Sequence, residues 1–165
     1  MDKALKLVGE KITGTRKGCE EPTYKHSIRV ADTLKKNGYP NEVIIAGLLH
    51  DIIEDGSMTA QELMDLGFSE RTVSLVDACT HDSTMRNKDA RWVKMIARLI
   101  DLADKDAWAI KCADLFDNYR SCHTMPNVRA AFIRTVKAPL LLSVTKDILG
   151  EAGIWQELNQ EIIKK

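Results

Sequence analysis

Apolar positions in this chain recur every three to four residues, and no stretch sustains the period-two alternation of a half-buried strand. The pattern predicts helix after helix. A first amphipathic helix covers 2–13 and stops at Gly14, and residues 15–23, TRKGCEEPT, read as a loop. A second helix runs over about 24–37, with His26, Val30 and Leu34 at helical spacing, and ends at Asn37-Gly38. Pro40-Asn41 opens a third, with Asn41 as its expected N-cap, carrying VIIAGLLHDII to Asp55-Gly56. Thr59 and Glu62 have the spacing of a capping box. Ser69 starts a short helix to about Cys79, and 80–88, THDSTMRNK, is polar and loop-like. Residues 89–103 are helical and either continue into 107–122 or stop before it; Pro126 restarts a long helix to Leu149, Gly150 and Gly153 bracket a turn, and a last helix closes the chain. The expectation is an all-α, single-domain helical bundle over 1–165.

Composition narrows the function classes. The chain has 165 residues, 44% hydrophobic and 29% charged, which suits one domain with its own core. Lys plus Arg equals Asp plus Glu at 24 each, so the formal charge is zero and a general nucleic-acid binder is not expected. The apolar runs fall short of a membrane span. Cys19, Cys79, Cys112 and Cys122 form no C-x-x-C pair and follow no signal-peptide pattern, so reduced thiols in a cytoplasmic protein are expected.

The third helix carries the chemistry. Val43, Ile44, Ile45, Leu48, Leu49, Ile52 and Ile53 make it apolar on most sides, which buries it. Within "LLHDIIEDG", His50 lies one turn below Glu54 and Asp51 one turn below Asp55. Burying one unpaired carboxylate costs several kcal/mol as a rough rule, and burying three together adds mutual repulsion. Acidic groups at a helix C-terminus also oppose the macrodipole, so they are poor structural choices there. A divalent cation resolves both problems, and imidazole nitrogen with carboxylate oxygen suits manganese, iron, cobalt or zinc. Two residues do not complete a site. His26, on an amphipathic helix, and Asp114, in the apolar AIKCADLFDN, are the candidates for the rest. Taken alone, the first reads as an ordinary core or surface histidine and the second as a surface acid paired with Lys111.

Taken together, the order His26 … His50-Asp51 … Asp114 resembles the HD-domain metal-dependent phosphohydrolase superfamily. "LLHDIIEDG" is similar to the H-D-x-x-E-D helix of RelA/SpoT-type hydrolase domains and of stand-alone SpoT-like hydrolases. "IKCADLFDNYR" resembles their K-x-A-D-x-x-x-N-x-R helix, and "RKGCEEPTYKH" their loop from a basic pair to the first histidine. "MTAQELMDLGF" and "VSLVDACT" resemble the connecting helices, so the likeness covers roughly 10–125. It implies removal of pyrophosphate from the ribose 3′ position of guanosine tetra- and pentaphosphate, with manganese. It implies metal binding by His26, His50, Asp51 and Asp114. Glu54 and Asp55 match the pair that positions or activates the attacking water, Arg16 and Lys17 the basic loop facing the phosphates, and Asn118 a nucleotide-contacting position. A metal of this kind lowers the pKa of a bound water and polarises a phosphoryl oxygen, and a neighbouring carboxylate takes the proton.

Three places depart from the family. Ser27 stands where proline is common, Gly56 where threonine is common, and the loop before His26 is about one residue short. They keep open an HD phosphohydrolase acting on another nucleotide, such as a nucleoside monophosphate or a 2′- or 3′-phosphorylated cofactor. A binding module that only senses nucleotide or metal is the reading from another class, and the intact Glu54-Asp55 pair argues against it. The length leaves no room for the synthetase domain of the long relatives, so degradation alone is expected. The second dipeptide, His81-Asp82, sits in a polar loop and is read as a loop feature near the nucleotide, outside the metal site. His123 and the three tryptophans read as structural, and Tyr24 as touching either base or core. The apolar run 138–144 either closes the core or makes a dimer contact.

Overall fold

The computed structural model describes residues 1–16 and 20–164. The helices are α1 (Asp2–Lys11), α2 (Tyr24–Lys36), α3 (Asn41–Leu49), α4 (Ala60–Asp65), α5 (Glu70–Cys79), α6 (Lys88–Leu102), α7 (Lys105–Ser121), α8 (Asn127–Phe132), α9 (Ala138–Leu149) and α10 (Gly153–Ile163). A 3-10 turn, Cys122–Thr124, precedes α8, and a π-helical turn, Ile133–Lys137, joins α8 to α9. Among the described residues the only strand-like feature is an isolated bridge between Thr15 and Pro22. The all-α reading therefore holds.

The bundle is organised around α7. Ala107, Trp108, Ala109, Ile110, Cys112 and Ala113 are fully buried, and the helix packs against α2, α3, α5, α9 and α10. A helix that is apolar nearly all round has to lie inside. Its small residues let neighbours approach, so polar groups on α7 face several helices at once. The run 138–144 closes this core: Ala138 and Leu141 are buried, while Leu140 stays partly exposed. Trp92, Trp108 and Trp155 are all buried as packing residues.

Several boundaries differ from the pattern, each for a local reason. α1 stops at Lys11 rather than 13. Asn41 is the first residue inside α3, not its cap, because Pro40 takes that place in extended conformation. α3 ends at Leu49, and residues 50–55 form hydrogen-bonded turns in place of the expected helical end. α6 and α7 are separate helices, because Ala103 turns left-handed (φ 49°) and Asp104 caps α7 by accepting from Asp106 and Ala107 N–H. The Thr59–Glu62 capping box and the Ser69 cap form as expected.

Candidate metal centre

The turn after α3 carries the first dipeptide. Leu48, Leu49 and Ile52 are fully buried and pin this backbone into the core. The Asp55 N–H donates to Asp51 O (2.8 Å) and the Gly56 N–H to Ile52 O (3.0 Å), so one-turn spacing survives past the end of the helix. Gly47 lets α2 close onto α3, since a Cβ there would lie 2.3 Å from Leu34 Cδ1. Gly56 is held to glycine by the same crowding: a Cβ would sit 2.6 Å from Ile52 O. A threonine has no room there in this arrangement.

These constraints bring three helical segments to one point. His26 comes from the first turn of α2, His50 and Asp51 from the turn after α3, and Asp114 from the middle of α7. His26 Nε2 lies 3.2 Å from Asp114 Oδ1 and 3.9 Å from Asp51 Oδ2. His50 Nε2 lies 3.2 Å from Asp51 Oδ2 and 3.9 Å from Asp114 Oδ1. The two rings meet edge to face with centroids 5.2 Å apart.

The far side of each imidazole is fixed as a metal ligand's should be. His26 Nδ1 faces Asp117 Oδ2 at 2.6 Å, and His50 Nδ1 faces Gly47 O at 2.7 Å. Both acceptors place the ring proton on Nδ1 and leave the Nε2 lone pair aimed at the shared point. His50 Nε2 is buried and has no hydrogen-bond partner, a state that is costly for a polar atom unless something ligates it. Donors bonded to a transition metal at about 2.0–2.2 Å stand about 3–4 Å from one another, which is the spacing seen. The donor atoms of His26, His50 and Asp51 thus lie close enough together to hold one divalent cation, and Asp114 Oδ1 lies within 3.9 Å of both rings.

Electrostatics agree with that fit. Burial works against the charged form of His26, but Asp114 and Asp117 more than reverse it and raise its pKa to about 9. His50 is raised against its burial by Asp51. Burial would lift Asp114, yet Lys111, 2.5 Å from its Oδ2, and the two imidazoles hold it well below the ordinary carboxylate range. Asp51 is lowered by His50 and His26 against the same burial. The carboxylates thus favour positive charge at this point, which a cation would supply in place of a second ring proton.

The neighbouring carboxylates are not equivalent. Glu54 Oε1 accepts from the His81 N–H and faces His81 Nδ1, both at 2.7 Å. Despite burial these contacts lower its pKa. Asp55 is raised instead, first by desolvation and then by the like charges of Asp51 and Glu54. Two adjacent acids are thereby pushed apart.

Asn118 donates to Asp114 Oδ1 and accepts from Arg16 Nη2 at 2.9 Å. Arg16 Nη1 also reaches Asp117 Oδ2 at 2.7 Å, so Arg16 packs against the site wall with its side chain 10% exposed. Lys17, like Cys19, lies outside the described residues. Cys79, Cys112 and Cys122 are buried free thiols. Tyr24 is half-buried against the core, and the exposed His123 faces Arg120 O through Nδ1.

Two residues of this site escape a reading of the sequence. Asp117, which seats His26 and also pairs with Arg29 and Arg16, lies one turn from Asp114; an acid in an otherwise apolar helix was the available signal. His81 is legible only as a loop feature near the nucleotide, and its contact with Glu54, 27 residues away, is not.

A family model described as HD domain matches residues 4–137. The chain belongs to the HD-domain family. It is 30% identical over 163 residues to a guanosine-3′,5′-bis(diphosphate) 3′-pyrophosphohydrolase of Aquifex aeolicus, covering 97% of this chain and 22% of that protein. It is 29% identical over 131 residues to the Borreliella burgdorferi protein of the same name, covering 77% of this chain and 20% of that one. The chain thus spans about a fifth of the length of these relatives. Its fold is similar to that of a solved structure described as a metazoan ortholog of SpoT that hydrolyses ppGpp and plays a role in starvation responses, with TM-score 0.82, 22% identity, and 99% of this chain and 93% of that chain covered. A crystal structure from Listeria monocytogenes is also similar, with TM-score 0.71, 22% identity, and 88% and 98% covered. Among the described residues no helix is long and apolar enough to cross a membrane.

Proposed function

We propose that this chain is a metal-dependent phosphohydrolase that converts guanosine tetra- or pentaphosphate to GDP or GTP and pyrophosphate. The observation that carries the reading is the convergence of two buried Nε2 atoms and two carboxylate oxygens beside an asymmetric Glu54-Asp55 pair. The names of the relatives supply the substrate class. His26, His50, Asp51 and Asp114 hold the ion, and manganese is our choice of metal. When bound, such an ion supplies Lewis acidity toward water and phosphoryl oxygen.

The chain's own groups do the rest. Glu54, kept ionised, orients the attacking water, and Asp55, with its raised pKa, takes the proton. Arg16 and Lys17 offset phosphate charge, and Asn118 contacts the nucleotide. The partner is a small nucleotide, in keeping with the zero net charge, and the compartment we assign is the cytoplasm, on the cysteine usage. Residues 1–165 act as one hydrolase domain.

The test is release of pyrophosphate and GDP from ppGpp by metal-stripped protein, with and without manganese. Release that requires manganese is expected. A folded, manganese-loaded protein that releases nothing sinks the substrate. Turnover of 3′- or 5′-monophosphorylated nucleotides in its place would replace the substrate with another nucleotide and keep the hydrolase reading.

A further inference from the structure

The Glu54 carboxylate is held from a part of the chain that the family motifs do not include. The His81 backbone N–H and ring Nδ1 both converge on Glu54 Oε1 at 2.7 Å, which leaves Oε2 without a partner among the described residues. A ring nitrogen facing an ionised carboxylate is the protonated one, so Nδ1–H donates. The loop that presents His81 is braced. Thr80 Oγ1 donates to Val76 O (2.8 Å), and the Arg98 guanidinium donates to Ala78 O (2.9 Å) and to Thr80 O. On the other side Asp82 accepts from Thr84 and pairs with Lys94 at 2.7 Å. Among the described residues Asp55, by contrast, has no such clamp on its side chain. One acid of the pair is held by two donors and the other by none of these residues.

We propose that His81 is a positioning residue for Glu54: it clamps Oε1 so that Oε2 is presented to the attacking water. This rests on the hydrolase reading above. A histidine that merely filled the loop would not need two donors on one oxygen.

The experiment combines kinetics on the full chain with nitrogen NMR of its imidazoles. His81→Ala is expected to lower kcat on the order of 10- to 100-fold, as misplacement of a reacting group does, with KM and manganese affinity unchanged. His81→Asn, which offers an amide N–H near the Nδ1 position, should recover most of the loss and keeps the test alive where the alanine variant fails to fold. In a Glu54→Gln background, His81→Ala should add nothing. An equal loss in that background, or a loss carried by KM or metal affinity and not rescued by asparagine, overturns the assignment. NMR should find the Nδ1–H tautomer of His81 in the wild type and its loss in Glu54→Gln. An Nε2–H tautomer in the wild type overturns the assignment whether or not ppGpp is turned over. A wild type that folds and binds manganese but releases nothing sinks the substrate reading, and the tautomer then decides the His81–Glu54 contact by itself.

Discussion

His50-Asp51 and His81-Asp82 are the same dipeptide in two surroundings. The first stands on a backbone locked by Leu48, Leu49 and Ile52, with its histidine 1% exposed and Nε2 unpartnered. The second stands on a polar loop, where the histidine binds Glu54 and the aspartate satisfies Thr84 and Lys94. In the loop the histidine Nδ1 and the aspartate both have protein partners, and Asp82 spends its charge on a lysine. In the core His50 Nε2 is left without a hydrogen-bond partner, and two imidazoles and two carboxylates face one another. The dipeptide alone does not make a candidate metal site; a buried nitrogen without a partner beside further donors does.

The most severe way to break this contrast is to remove the same charge in both places. Asp51→Asn should abolish manganese-dependent turnover by at least about a hundredfold, because a ligand oxygen and its charge are lost together. Asp82→Asn should cost turnover far less, since its carboxylate only braces the His81 loop through a turn and an exposed ion pair. The assay is initial rate with saturating manganese, beside metal content by atomic absorption. Equal losses in the two variants would mean that the loop dipeptide also ligates.

How far the site is legible in the chain follows the same division. His50 and Asp51 announce themselves because charge inside the apolar run 43–53 has no structural use. Asp114 is legible only through the family resemblance, because alone it also reads as an acid paired with Lys111, and that pair forms. The end of α3 at Leu49 is not, because the turns over 50–55 keep one-turn hydrogen bonds and the residue pattern continues through them. Nor is the break at Ala103, which takes a left-handed conformation that no local glycine advertises. Asp117 and His81 are defined by partners far along the chain, Asp117 by His26 and His81 by Glu54, and periodicity carries no information about such pairs.

A milder test sharpens the buried side alone. Asp117→Asn should weaken manganese binding about 10- to 100-fold by loosening the His26 ring, with nothing removed from the ligand set itself. The wild type should show the linked proton. His26 sits at about 9 in the metal-free protein, above its ordinary value of about 6.5. Its contribution to metal-free stability is therefore fully present below about 6.5 and lost as pH rises through about 9. Metal needs the neutral ring, so manganese affinity should climb across that window and binding at neutral pH should release protons. Calorimetry in buffers of different ionisation enthalpy measures this. Affinity that stays flat from pH 6.5 to 9 would remove His26 from the ligand set.

The smallest effect separates two atoms that look alike. Ser27 Oγ, next to His26 in sequence, is buried and unpartnered, as His50 Nε2 is. The imidazole nitrogen has a carboxylate oxygen 3.2 Å away and a second histidine ring beside it, whereas among the described residues the hydroxyl has no hydrogen-bond partner. A desolvated hydroxyl without a partner is only a cost. Ser27→Ala should therefore leave manganese affinity unchanged and leave stability unchanged or raise it by up to about 1 kcal/mol in urea denaturation. Loss of stability beyond that would show that the hydroxyl makes a hydrogen bond in solution. Loss of manganese affinity would show that the position proline commonly fills in this family has become part of the site.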